Sequence, residues 1–228
     1  MHNKKIIGAA AAIGLSVTLI GGTLAWFTSQ DKVSNIFATG GVDNPNGANG
    51  NGVEIWEQYN PKINMVPGDT EIKLVQTQNT TTYDSFIRVK ITPKWKDNKL
   101  NNEMIELTFG DNNSNLGSGD GQWLKGNDGY YYYMGKIASK KFTNPILSSV
   151  KLSTEAGSEY RDAKFDVFVE AESIQADNDA QDDAWKNAGD TVTNRLNDFE
   201  SNPASGNDKA KEGVTITETE TREVGSKK

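Results

Sequence analysis

Residues 85–92 read SFIRVKIT. Ile87, Val89 and Ile91 alternate with Arg88, Lys90 and Thr92, which is the period of a strand buried on one face and wet on the other. Pro93 ends the run, because proline has no N–H to give to a ladder. The same period recurs on both sides. VEIWEQY (53–59) sets Val53, Ile55 and Glu57 against Glu54, Trp56 and Gln58. EIKLVQTQNT (71–80) places Ile72 and Leu74 on one face, MIELTF (104–109) is a further short strand, and KFDVFVEAES (164–173) lines up Phe165, Val167 and Val169. YYYYMGKI (130–137) puts tyrosines 130–133 on both faces of one strand, which predicts a face that is wet or that meets a partner. Pro67-Gly68-Asp69 is a turn, and residues 110–129 form a long polar loop. Short strands at irregular spacing with no helix between them predict a mainly β protein, an antiparallel β-sandwich over residues 53–200.

The period changes after residue 177. Ala180, Ala184, Trp185, Ala188, Val192, Leu196 and Phe199 recur every three or four residues, which predicts one amphipathic helix over 178–200, broken near Gly189 and packed on the sandwich. Residues 201–213 read as a polar linker. VTITETETREV (214–224) alternates, and three readings stay open for it: an edge strand, a second detachable arm, or disorder.

The N-terminus is organised differently. Lys4 and Lys5 precede an uncharged run from Ile6 to Ala25, with Gly21, Gly22, Thr23 and Ala25 near its end. That is the form of a secretory signal, cut between Ala25 and Trp26. An uncleaved anchor helix is the alternative, since the run approaches the length that spans a bilayer. Residues 26–40 then form a leading arm, with Phe27, Val33, Asn35 and Phe37 on one face and Trp26 and Ile36 on the other. The arm is either free to leave its domain or a first strand packed upon it. Residues 41–52, rich in Asn and Gly, make a flexible tether.

Composition limits the chemistry. The formal charge is −7, and removal of residues 1–25 takes away Lys4, Lys5 and no acid, leaving −9. An acidic chain without a basic patch argues against nucleic acid as a partner. The chain has no cysteine, so a secreted form would rely on burial without disulfides. Its one histidine is His2, in the signal. The mature chain therefore cannot form a Ser-His-Asp triad, a Cys-His pair or a His-ligated zinc site. Two acidic stretches are weak calcium candidates. Asp111, Asn113 and Asn115 have the 1-3-5 spacing of an EF-hand loop, but Leu116 and Gln122 stand where Gly and Glu are needed. Asp177, Asp179, Asp182 and Asp183 crowd the start of the helix, where carboxylates meet the positive end of its dipole. Lysines, asparagines and aspartates for Lys–Asn or Lys–Asp crosslinks are plentiful, and the sequence does not pair them. No LPxTG sorting pattern is present.

GGTLAWFTSQDKVSNIFATG (21–40) resembles the start of the TasA/camelysin family of Gram-positive bacteria, through Trp26, Phe27, Thr28, Asn35, Phe37 and Gly40. The resemblance continues at NMVPGDTEIKLVQTQNT, SFIRVKITPKW, YYYYMGKI and FDVFVEAESIQADNDAQDDAW, and it is greatest to the BsaA-type biofilm matrix branch. It implies cutting by a SipW-type signal peptidase, a jelly-roll-like sandwich and secretion to the extracellular matrix or cell surface. It also implies pilus-like fibres in which one subunit's N-terminal arm, carrying Trp26, Phe27, Val33, Asn35 and Phe37, completes the next subunit's sheet. Partners would be further copies of the chain and other matrix components. No catalytic residue and no cofactor is expected, although the family also carries a metallopeptidase label. A third reading is a monomeric surface-binding module for carbohydrate or host protein, using Trp95, Trp123 and tyrosines 130–133.

Overall fold

A computed structural model describes residues 28–36, 52–59, 65–110 and 114–216. The signal segment, the cut at Ala25–Trp26, Phe27, Phe37, residues 41–51 of the tether, Asp111, Asn113 and residues 217–228 lie outside these. The strands are β1 (Thr28–Ile36), β2 (Val53–Tyr59), β3 (Thr70–Asn79), β4 (Ser85–Trp95), β5 (Ile105–Phe109), β6 (Trp123–Lys125), β7 (Tyr131–Tyr133), β8 (Leu147–Leu152), β9 (Phe165–Gln175) and β10 (Thr215–Ile216). They form two five-stranded sheets, ordered β1-β9-β4-β7-β6 and β10-β2-β3-β8-β5. Each ladder between them is antiparallel.

The space between the sheets is filled by the alternating residues. Ile87, Val89 and Ile91 of β4 meet Val167 and Val169 of β9, with Val53 and Ile55 of β2 and Val150 and Leu152 of β8 from the other side. Aromatic pairs close the ends of this core. Trp95 stands edge-on to Phe165 at 5.0 Å, and Trp123 edge-on to Tyr133 at 5.1 Å, the geometry that ring quadrupoles favour.

The other face of the first sheet is not wet. Phe86, Tyr132 and Ile174 form a second core with Trp185 and two helices, α1 (Ala180–Ala184) and α2 (Asp190–Glu200). The expected single helix is thus two, parted at Gly189. That residue has φ +93°, where an added Cβ would also lie 2.4 Å from the Asn127 amide. The tyrosine run is divided between the cores: Tyr131 and Tyr133 face the sandwich and Tyr132 faces the helices. Trp95, Trp123 and Tyr131–Tyr133 are all buried and Tyr130 is half-buried, so these aromatics do not form the exposed face that a surface-binding module needs.

Arg88, expected to be solvated, lies between sheet and helices. Its guanidinium donates to Glu172 at 2.6 and 2.9 Å and to Asp128 at 3.0 Å, and it sits 4.1 Å from the centre of the Tyr130 ring. Tyr132 donates its hydroxyl to the same Asp128 oxygen at 2.7 Å. The network satisfies charges that burial would otherwise penalise.

Three further expectations change. Ile72 is exposed, while its neighbours Lys73 and Leu74 are both buried, and the β3–β8 register shifts between Ile72 and Val75. The 110–129 loop contains β6, and β8 was not anticipated at all. Residues 201–213, expected as a linker, lie along the body: Ser205 exchanges backbone hydrogen bonds with residues 136 and 138, Asn207 with Phe142, and the Lys211 amide donates to Gln76. Thr215 and Ile216 then pair with β2 as an edge strand.

Burial pushes the hydroxyls of Tyr130 and Tyr133 up to about 12, from an ordinary 10.0. An acid whose pKa is raised by folding ionises first in the unfolded chain. The stability it contributes is therefore whole below pH 10 and is lost as pH rises towards about 12. Ultraviolet titration should show a tyrosinate step delayed beyond pH 10 and coincident with loss of the near-ultraviolet dichroism. A single step near pH 10 in the folded chain would show that the rings are open to water.

Candidate functional site

The first sheet ends in β1, which runs antiparallel to β9 from Thr28↔Ile174 to Ile36↔Asp166. Residues directly opposite each other in a ladder share a face. Val33 is opposite Val169 and Asn35 opposite Val167, so both occupy positions on the face that β9 turns to the core. This matches the face on which the sequence placed them. Ser29 and Asp31 hold the other such positions, opposite Ser173 and Ala171. Of the four core-face positions, only Val33 is apolar. β9, by contrast, places Phe165, Val167, Val169 and Ala171 in the core. Edge strands of this kind leave a template of N–H and C=O groups when they depart.

Across the sandwich, β2 lies against β1. Its alternation carries Glu57 to the same face as Val53 and Ile55, and all three are buried. Lys73 lies directly opposite Tyr59 in the uninterrupted β2–β3 ladder and so shares that face, and its side chain is 0% exposed. Lys73 Nζ donates to Glu57 Oε1 at 2.9 Å and stands 4.9 Å from the centre of the Tyr59 ring. Burial pulls the Lys73 pKa down, opposed by the Glu57 carboxylate. Burial also pushes the Tyr59 hydroxyl up, with Glu71, Glu57 and then Asp166 adding to the effect. Asp166 is the ladder partner of Ile36, so the charged group lies towards the Asn35 end of β1. Sequence reading placed Glu57 inward by alternation. It missed Lys73, because it grouped Ile72 and Leu74 on one face, whereas Lys73 alternates with Val75 on the face turned to the core.

The weak calcium candidates gain no geometry. Asp177 and Asp179 are exposed, and Asp179 has φ 54° just before α1 without a side-chain cap. Its amide donates to Glu200. Asp182 and Asp183 lie in the first turn of that five-residue helix. Among the described residues no three His, Cys, Asp or Glu side chains are grouped to hold a metal ion. No helix among them is long and apolar enough to cross a membrane.

A family model described as camelysin metallo-endopeptidase matches residues 2–117, half of the chain. No curated protein and no solved structure matches it.

Removing one partner of a buried ion pair leaves the other charge uncompensated and costs about 3–5 kcal/mol. Lys73→Met should lower the unfolding free energy by about that much, and adding Glu57→Leu should restore most of it. Urea unfolding measures both. Equal losses in the single and double variants would mean that the pair is not a unit.

Proposed function

The chain belongs to the TasA/camelysin family, and from that membership we propose that it is an exported structural subunit of extracellular matrix fibres. Residues 26–40 of one copy would add to the β9 edge of the next. The observation that carries this reading is the position of β1: a terminal strand with one apolar core-face position, held by a single neighbour in its sheet. Residues 37–52 separate it from β2 and reach about 50 Å when extended. An arm with that reach can fill its own slot or a neighbour's with the same ladder. In a lone subunit it folds back, and at high concentration it is exchanged. Main-chain hydrogen bonds supply the affinity, and side chains such as Phe27, Val33 and Phe37 supply the fit. The contact is head-to-tail and does not close, so it builds filaments and not rings of two.

Export by a SipW-type signal peptidase fits the basic start, the uncharged run and the small residues before Trp26. Cutting there frees Trp26 as the first residue of the arm. The net negative charge keeps free subunits apart in solution.

The family's description names a metallo-endopeptidase, which supports a second reading as a surface protease. The mature chain has neither histidine nor cysteine to hold zinc, so the structural role is preferred. Purified mature protein should not hydrolyse casein, and adding a chelator should change nothing. Chelator-sensitive hydrolysis would favour the protease.

The mature chain should elute as polymer on size exclusion and show fibres by electron microscopy. The same chain without residues 26–40 should remain a folded monomer. Normal fibres from that deletion would overturn the exchange.

A further inference from the structure

Lys73 and Glu57 are set beside each other by the ladder before they meet through their side chains. Tyr59↔Lys73 and Glu57↔Val75 are ladder partners, so Lys73 and Glu57 are diagonal neighbours on one face of β2 and β3, within reach of a long side chain. That face is the one turned to the core, shared with Val53, Ile55 and Val75. The Lys73 side chain is 0% exposed and the Glu57 side chain 3%. Lys73 Nζ donates to Glu57 Oε1 at 2.9 Å, and the centre of the Tyr59 ring lies 4.9 Å from Nζ. Aliphatic residues would pack as well in such a place. An amine and a carboxyl enclosed together are also the two halves of an amide.

Burial disfavours both charges, and it pulls the Lys73 pKa down against the opposing effect of Glu57. Transfer of one proton from Nζ to the carboxylate removes both charges and leaves a free amine beside a carboxylic acid. The amine lone pair then attacks the carboxyl carbon Cδ. The acid's hydroxyl leaves with one proton of the nitrogen as water, and an Nζ–Cδ amide remains. One C–N bond forms, one C–O bond breaks, and nothing is oxidised or reduced. In bulk water the solvent opposes such a condensation. Here the two groups are held at hydrogen-bond distance, and positioning of that kind reaches effective molarities of about 10⁵–10⁸ M. The enclosure that holds them also keeps out the water that would hydrolyse the product. The amide retains a carbonyl oxygen as acceptor, so whatever the second carboxylate oxygen accepts can remain.

We propose that the folded chain joins Lys73 to Glu57 by a side-chain amide bond, so that β2 and β3 are crosslinked covalently within one subunit. Lysines and acids are too many for the sequence to pair them; the one enclosed lysine supplies the pairing. The ion pair is the state of the newly folded chain, from which the reaction starts. The use of the bond rests on the strand-exchange reading. The tether enters β2 at Val53, so tension along a fibre would pull β2 away from β3 starting there, and the crosslink would stop the separation at Glu57. Its formation does not depend on exchange, because both groups belong to one chain.

The test is the intact mass of the full mature chain, read in denaturant after the folded protein has been aged. The wild-type chain should fall below its sequence mass by one water. A tryptic digest should contain residues 33–62 joined to residues 63–88, with no cleavage after Lys73. Glu57→Gln should reach the same final mass by losing ammonia in place of water. Lys73→Met and Glu57→Leu should keep their full sequence masses, as should wild-type chain held in denaturant throughout. An ion pair with a merely structural role moves none of these masses. A folded, aged wild-type chain at its full sequence mass overturns the proposal. So does a water loss that maps elsewhere, such as to a succinimide at Asp120-Gly121 or Asp128-Gly129. Fibres built from uncrosslinked subunits sink this inference and leave the exchange reading standing. Crosslinked chains that form no fibres do the reverse.

Discussion

Every layer of the molecule depends on the ladder between β4 and β9, which runs without interruption from Ser85↔Gln175 to Trp95↔Phe165. Both strands are covered twice. One face of each fills the space between the sheets, and part of the other is roofed by α1, α2 and Trp185. A strand buried on both sides must place polar residues where partners wait. Arg88, Glu172 and Asp128 meet that requirement by pairing with one another beneath the tyrosine rings. With this ladder in place, the remaining strands of the first sheet attach on either side of it, β1 to β9 and β7 to β4.

Much of this was legible in the chain. The clean alternation of 85–92 and 164–173 located the two central strands and their inner faces, and the three-to-four spacing after residue 177 located the helical layer and its break at Gly189. The failures have local causes. In β8 the buried residues are Leu147, Val150 and Leu152, an irregular spacing that accompanies the register shift against β3. β6 is three residues long, too short to show a period. Arg88 looked like a surface residue because the helices that cover it lie a hundred residues away in sequence, and alternation reports a face without saying what lies above it.

The candidate site was legible in half. Val33 and Asn35 fell on the face that the register gives them, and Glu57 followed its strand's alternation inward. The cation opposite Glu57 was invisible. One buried lysine among many exposed ones carries no mark in sequence, and only the tertiary packing shows which is enclosed. The mismatch between a polar strand and an apolar neighbour likewise appears only when the two are set side by side.

The short pairing of Thr215 and Ile216 with β2 has a geometric outcome. It gives β2 a second ladder partner at Glu57 and Trp56, so that at these two residues the strand is an interior one, with main-chain neighbours on both sides.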